Sequence, residues 1–249
     1  MRGLSGKGAI VTGGVQGIGH ASVLRLRAEG ARVAVIDRDA DGCAALRAAL
    51  PDVIALTADV TDLDAIEAAF AEVIAAFGRL DVVFNNAGIS APGDSLTLPA
   101  EHWRRTLAVN VDGVFHCART AARHMKAQGS GVIINMASVS GMVAIPDYLA
   151  YNTSKAAVIQ LTRTLALELA PIVRVNSISP GYVLTPMQEA EYTPEQMKAL
   201  NARIPMGRHA DPAEIAALVA FLASEEAPFM TGSNVVIDGG ETAGGTASR

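Results

Sequence analysis

Disulfide scaffolds, metal centres and nucleic-acid binders all need residues that this chain has little of. Its 249 residues contain two cysteines, Cys43 and Cys117, far apart in the sequence. Neither has a partner at metal or redox spacing, so both read as small buried apolar side chains in a reducing compartment. The five histidines, at 20, 102, 116, 124 and 209, form no pair at ligand spacing, so the sequence gives no support to a metal site. No basic block occurs and the formal net charge is −5. Phosphate-backbone binding needs clustered cations, so nucleic acid is not an expected partner. No apolar run approaches the ~18 residues of a membrane span, so no membrane association is expected. Met1 to Gly8 holds no apolar stretch of the secretory kind, and the expected location is the cytoplasm. Aromatics are only 4% of the chain.

Half of the residues are hydrophobic, mostly Ala, Val, Leu and Ile. That balance suits parallel strands buried on both faces and Ala-rich helices packed closely on them. Short β-branched runs alternate with helical apolar spacing along the whole length. The runs are Ala9 to Val11, Arg32 to Asp37, Val53 to Thr57, Val82 to Phe84, Val132 to Met136, Val173 to Ile178 and Val235 to Gly239. Between them, sets such as Leu63, Ile66, Phe70, Val73 and Phe77 recur at helical spacing. Strand and helix in alternation predict an α/β fold: a doubly wound parallel sheet of about seven strands with helices on both faces, in three layers. No repeat or low-complexity linker interrupts it, so one domain is expected over 1–249.

The first strand runs into Thr12-Gly13-Gly14-Val15-Gln16-Gly17-Ile18-Gly19, and a helical pattern follows. A glycine turn between a strand and a helix N-terminus presents backbone N–H groups and the helix dipole to an anion. Glycine is needed where a side chain would block a pyrophosphate or the helix–strand packing. The second strand ends in Asp37, 18 residues after Gly19. A carboxylate there accepts the two hydroxyls of an adenosine ribose and repels a 2′-phosphate, which points to NAD rather than NADP. Arg38 argues the other way, since a cation can hold that phosphate. Asp37 could instead cap the helix beginning near Ala40. The fourth strand ends in Asn85-Asn86-Ala87-Gly88, small residues that let a cofactor approach the backbone.

Ser138 to Lys155 is the chemically richest stretch. Ser138 follows the fifth strand, at the sheet edge where open α/β sheets bind ligands. It is either a local backbone partner or a donor to a substrate oxygen. With helix from Tyr148 onward, Tyr151 and Lys155 fall at i and i+4, one turn apart on one face. An ammonium beside a phenol favours phenolate and is expected to lower its pKa from about 10. Such a pair can give or take a proton. Asn110 sits among apolar residues in Leu107-Ala108-Val109-Asn110-Val111 and must be hydrogen-bonded if buried. Either it bridges backbone groups or it orders a water beside the Tyr/Lys pair.

These segments, in this order and spacing, resemble the short-chain dehydrogenase/reductase family in its compact form, and the likeness covers nearly the whole chain. It implies a Rossmann-type fold and NAD(P)-dependent oxidoreduction of an alcohol or ketone. Tyr151 would be the acid/base, Lys155 would tune it and hold the nicotinamide ribose, Ser138 would hold the substrate oxygen, and Asn110 a relay water. The cofactor would be held by Gly13, Gln16, Gly17, Ile18, Gly19, Asp37 and Arg38 at one end, and by Asn86, Ala87 and Gly88 in the middle. Asp59 and Val60 would flank the adenine, while Pro180, Gly181, Val183 and Thr185 would hold the carboxamide. The resemblance also implies a homotetramer built through the long helices and the last strand. Ala170 to Arg174 is about a residue shorter than the family's usual connection.

By the same analogy the substrate pocket lies among Ser140, Met142, Ile145, Tyr148, Tyr182, Met187 and Tyr192, with Ser90 and Pro92 opposite. The segment 184–204, rich in Met and Glu with Pro186 and Pro194, reads as a mobile substrate lid. Glu241 to Arg249 reads as a polar tail. No Lys or Arg in the pocket set grips an anion, so a neutral polyol, sugar, diol or cyclic alcohol is expected. The alternatives are reduction of a 3-oxoacyl thioester on acyl carrier protein or CoA, and a non-catalytic dinucleotide sensor on the same fold. Asp37 generates a direct expectation. Catalytic efficiency with NAD should exceed that with NADP in steady-state assays, and a strong NADP preference would refute this reading of Asp37.

Overall fold

In the computed structural model, which describes residues 1–244, the apolar runs form one parallel sheet. Its strands are β1 (Gly8–Thr12), β2 (Arg32–Asp37), β3 (Ile54–Thr57), β4 (Val82–Asn85), β5 (Gly131–Met136), β6 (Val173–Pro180) and β7 (Asn234–Ile237). Their order is β3-β2-β1-β4-β5-β6-β7, so the winding direction reverses between β1 and β4. Such a reversal opens a crevice beyond the carboxyl ends of those two strands.

Side chains alternate across the sheet, as strand geometry requires. Along β1, Ala9 and Val11 join one core and Ile10 the other. The first core is closed by α1 (Gly17–Ala28), α2 (Ala40–Ala49) and α9 (Pro212–Ala223), through Val23, Leu26, Cys43, Leu46, Ile215 and Val219. The second is closed by α3 (Leu63–Phe77) and α5 (Gly113–Gln128), through Ile66, Phe70, Val73, Ala118, Ala121 and Met125. α6 (Leu149–Leu169) adds Ala166 and Leu169 to that second core. The expected α/β Rossmann-type architecture in three layers is therefore observed. Cys43 and Cys117 are both free and buried.

Local chemistry explains most helix starts. Asp39, Asp62 and Asp211 accept N–H groups at the first turns of α2, α3 and α9, and Pro212 occupies an early position of α9. The cap of α2 is thus Asp39, and the capping role considered for Asp37 is not what the structure shows. The region before α5 is less regular than its sequence suggests. α4 (Ala100–Leu107) passes into a π-helical turn, Ala108–Asp112, before α5 begins, and Asn110 sits inside that turn. Segment 184–204, expected as a mobile lid, contains two short capped helices. These are α7 (Pro186–Glu191), capped by Thr185, and α8 (Pro194–Asn201), capped by Thr193.

A buried polar ladder ties the layers together at the edge that carries the site. Asn85 Nδ2 donates to Asn135 Oδ1 at 2.8 Å, and Asn135 Nδ2 donates to Thr162 Oγ1 at 2.9 Å. Thr162 in turn donates to the Val158 carbonyl at 2.8 Å. β4, β5 and α6 are therefore in register through side chains as well as backbone. Thr162→Val keeps the shape and strands the Asn135 amide without an acceptor. It should cost about 1–3 kcal/mol of unfolding free energy, since a buried unpaired donor loses its full hydration. Urea unfolding measures this, and a loss below ~0.5 kcal/mol would show that the ladder carries no such weight.

Candidate active site

The crevice at the winding reversal is built first by a knot between β1 and β4. Thr12 Oγ1 accepts the backbone N–H groups of Asn86 and Ala87, both at 3.1 Å. The Asn86 amide answers by donating to the carbonyls of Thr12 at 3.1 Å and Gly13 at 2.9 Å. Gly13 has φ +65, and a Cβ there would meet Ala87 Cα at 2.9 Å. A Cβ on Gly19 would sit 2.0 Å from the Gly13 carbonyl oxygen. Gly13 and Gly17 line the crevice, whereas Gly19 does not and serves the packing beneath it. α1 then starts from Gln16, whose side chain makes no capping bond, with no acid in its first turn. Its first N–H groups are free to meet an anion, unlike those of α2, α3 and α9.

The crevice has a volume of about 260 Å³ and runs from Asp37 to Lys155. Gln16, Ile18, Asp37, Arg38, Asp59 and Val60 line its first half. Asn86, Ala87 and Gly88 form its middle, and Pro180, Gly181, Val183 and Thr185 close its far end. Ile36, Ala58, Ile89, Val109, Met136 and Ala137 also line it, apolar positions that sequence pattern marks only as core. Asp37 Oδ2 accepts the Val15 N–H at 3.3 Å and Oδ1 accepts the Asp39 N–H at 3.1 Å. Each carboxylate oxygen keeps acceptor capacity for a ribose hydroxyl. Asp59 is held by Thr61 at 2.8–2.9 Å and by Arg105 at 3.1 Å. Open N–H groups, glycines at the wall and a carboxylate with spare acceptor capacity at the strand end fit a dinucleotide.

Tyr151 and Lys155 lie on α6, one turn apart as expected. Lys155 Nζ donates to the Met136 carbonyl at 2.8 Å and lies 5.5 Å from the centre of the Tyr151 ring. It is only 3% exposed. Burial pulls its pKa down to about 8. Tyr151 is pushed up to about 12, first by burial, with a Ser138 hydrogen bond opposing and the Glu191 charge adding to the rise. The expected lowering of the phenol by Lys155 is therefore not found in the protein alone: removal from water is the largest effect, and what opposes it is the Ser138 hydrogen bond. Ser138 sits at the turn after β5, and its Oγ also accepts the Ser140 N–H at 3.1 Å. Asn110 is fully buried. Its Oδ1 accepts the Ile89 N–H, and its Nδ2 donates to the Ile89 carbonyl and to Ser154 Oγ, at 2.9–3.0 Å. The side chain thus bridges backbone groups, one of the two roles considered for it, and holds Ser154 as well.

A second cavity of about 70 Å³ adjoins the crevice, sharing the walls Ser138, Tyr151, Gly181, Met187 and Gln188. Of the expected pocket residues, Ser90, Ser140, Ile145, Tyr148, Tyr182, Met187 and Tyr192 line it. Met142 and Pro92 do not. Met142 is 44% exposed and its sulfur accepts from Asn234 Nδ2 at 2.9 Å, which holds it outside. Sequence reasoning missed Gln188, Glu191 and Glu241, all of which line the cavity. Glu241 was expected in a polar tail, but the turn after β7 returns it to the site. Gln188 and Glu191 face inward because the lid segment folds into a helix, which its composition did not reveal. Tyr148 Oη donates to Glu191 at 3.0 Å and meets Tyr192 Oη at 2.8 Å. Burial pushes Tyr182 up to about 12. Among the described residues no three His, Cys, Asp or Glu side chains gather into a cation site.

Fold, glycine turn and strand-end acid together define a Rossmann-type dinucleotide-binding protein. A family model described as enoyl-(acyl carrier protein) reductase matches residues 13–242. The chain is 40% identical to a D-threitol dehydrogenase of Mycolicibacterium smegmatis, over 96% of this chain and 94% of that one. It is 36% identical to an NAD-dependent glycerol dehydrogenase of Listeria innocua, covering 96% of this chain and 95% of that one. An NADP-dependent (R)-specific alcohol dehydrogenase of Lentilactobacillus kefiri is 40% identical, with 96% and 98% covered. A short-chain type dehydrogenase/reductase from Mycobacterium marinum superposes with a TM-score of 0.91 at 40% identity, covering 97% of each chain. The chain belongs to the short-chain dehydrogenase/reductase family. It is a nicotinamide-dependent oxidoreductase of secondary alcohols and ketones.

Lys155 is a buried cation whose folded pKa lies below its unfolded value of about 10.5. Between about pH 8 and 10.5 the unfolded chain binds more protons, so this residue makes stability rise with pH across that window. Below it, the charge is carried in both states and its burial is unfavourable. Lys155→Met should therefore raise unfolding free energy at pH 7 by about 1–3 kcal/mol, and the gain should shrink towards pH 10. Urea unfolding at the two pH values measures it. A variant less stable than wild type at pH 7 would contradict the assignment.

Proposed function

We propose that the protein moves a hydride between NAD and one carbon of a small, neutral alcohol bearing several hydroxyls, a polyol, sugar or diol. A single observation carries this reading: Ser138 and Tyr151 stand on the wall shared by the long crevice and the small polar cavity. A dinucleotide in the first and an alcohol in the second would meet at those two hydroxyls. When bound, the dinucleotide supplies the hydride acceptor or donor and, in its oxidised form, a positive charge. Ser138 holds the substrate oxygen by a hydrogen bond. Tyr151 Oη gives its proton to that oxygen during reduction and receives it during oxidation. Lys155, anchored on the Met136 carbonyl, keeps two N–H groups for a ribose and for the phenol's field. Asn110 acts at one remove, locking Ile89 of the crevice wall and the buried Ser154 in place.

NAD is favoured by Asp37, whose oxygens retain acceptor capacity at the end of β2, although Arg38 lines the same corner. The named relatives include users of both cofactors. The substrate class is favoured by the small cavity: it has two carboxylates, three phenols besides Tyr151, and no Lys or Arg. A 3-oxoacyl thioester would need an apolar channel that these residues do not offer. A non-catalytic sensor has no need of Ser138, Tyr151 and Lys155 together at the shared wall. Segment 184–204 closes over the substrate as a lid carried by α7 and α8. A homotetramer is favoured by apolar side chains exposed on the long helices and edge strand, among them Phe115, Leu167 and Val236. The free, buried Cys43 and Cys117 suit a reducing cytoplasm.

Tyr151→Phe keeps the ring and removes the proton carrier. Turnover should fall by at least about a hundredfold, the usual worth of a positioned acid/base. Dinucleotide affinity, read by fluorescence titration, should stay at the wild-type value. Near-wild-type turnover in this variant would sink the proposed role.

A further inference from the structure

Nine buried side-chain polar atoms lack a partner among the described residues, and three of them line the small cavity beside Tyr151. They are Ser90 Oγ, Gln188 Oε1 and Glu241 Oε2. A buried polar atom without a partner is unfavourable by about 1–3 kcal/mol, so such atoms are rare and dispersed in most proteins. Three around a cavity of about 70 Å³ are a built binding surface in search of a ligand. A fourth group supports this. Ser140 is 8% exposed, its Oγ has no hydrogen-bond partner among the described residues, and it lines the same cavity. The chemistry is one-sided: Gln188 Oε1 and Glu241 Oε2 are acceptors only, and the two serine hydroxyls both donate and accept. The matching ligand offers several O–H donors close together.

Glu241 owes its place to the turn that follows β7, which also packs against residues 204–206. Asp238, at the end of β7, accepts the Gly240 and Thr242 N–H groups at 2.9 and 2.8 Å and the Thr242 hydroxyl at 2.6 Å. Gly239 and Gly240, at φ +64 and +89, turn the chain back towards β6. Gly181 then makes room: a Cβ there would lie 2.7 Å from Glu241 Oε2. Gly181 borders both cavities, so the carboxylate stands beside the meeting point of dinucleotide and substrate. Burial, with the Asp238 charge second, pushes the Glu241 pKa up, as expected for a carboxylate short of hydrogen bonds.

We infer that Glu241, with Gln188, is the specificity-determining pair that accepts hydrogen bonds from substrate hydroxyls beyond the reacting one, selecting uncharged vicinal polyols over monohydric alcohols. This rests on the proposed oxidation of an alcohol beside Tyr151 and narrows its substrate. A site with buried acceptors rejects a substrate lacking the donors, because those acceptors are then stranded. Anionic analogues face Glu191 and Glu241 together and are repelled.

The test uses the full-length protein with NAD and two alcohols on the same four-carbon skeleton, a tetritol and sec-butanol. Wild type should show a higher kcat/KM for the tetritol. In E241L, which removes both acceptors, the ratio of the two efficiencies should fall by about tenfold or more, one lost hydrogen bond to a charged group. In E241Q, which keeps the shape and one acceptor, the ratio should fall by less. E241Q carries the test by itself if E241L does not fold. Wild type that oxidises these alcohols while the Glu241 variants keep its tetritol preference would overturn this inference alone. A wild type that prefers sec-butanol would do the same. Wild type that oxidises neither would overturn the alcohol-oxidation reading and this inference with it.

Discussion

The site depends above all on the knot of hydrogen bonds that joins Thr12 to Asn86. Two parallel strands whose windings diverge leave a gap at their carboxyl ends. The Thr12 hydroxyl and the Asn86 amide close the base of that gap by satisfying backbone groups on both sides. With β1 and β4 tied there, the glycine turn has only one path, and Gly13 and Gly19 are required because no Cβ fits beneath it. α1 then starts without a side-chain cap, and its first residues Gly17 and Ile18 line the crevice. The Asn86 amide nitrogen is spent on this knot.

Burial sets the electrostatics of Tyr151 and Lys155 more than proximity does. Lys155 and Tyr151 are neighbours, yet each shifts towards its neutral form, to about 8 and about 12. Desolvation disfavours both charges, and the single carbonyl that holds Lys155 offsets only part of that penalty. The protein therefore keeps a buried ammonium beside a phenol whose neutral form burial favours. Such an arrangement is unfavourable for folding and is ready for a ligand that brings hydroxyls and charge.

The parts of this legible in sequence were those encoded within a few residues. The glycine turn after the first strand, the acid ending the second and the i, i+4 spacing of Tyr151 and Lys155 all gave correct positions. Asp211 and Pro212 announced α9 by ordinary capping chemistry. Other features were hidden. Asn110 was recognisable as a buried amide, but the π-helical turn that aims it at Ile89 has no local signature. Met142 matched the family pattern, yet its contact with Asn234 draws it away from the cavity. Met- and Glu-rich composition suggested mobility for segment 184–204, while the caps Thr185 and Thr193 give it two helices.

The sequence by itself determined the architecture, the dinucleotide crevice and the kind of reaction, because periodicity, turn chemistry and helical spacing act over a few residues and survive any detail of packing. Only the tertiary structure decided which side chains line the small cavity and in which direction Tyr151 and Lys155 are shifted. Glu241 reaches the cavity through the turn after β7 and the missing side chain of Gly181, a contact across 60 residues of chain (241 − 181). The shifts of Tyr151 and Lys155 depend on how much water the packed walls exclude. Neither quantity exists until elements distant in sequence close on one another.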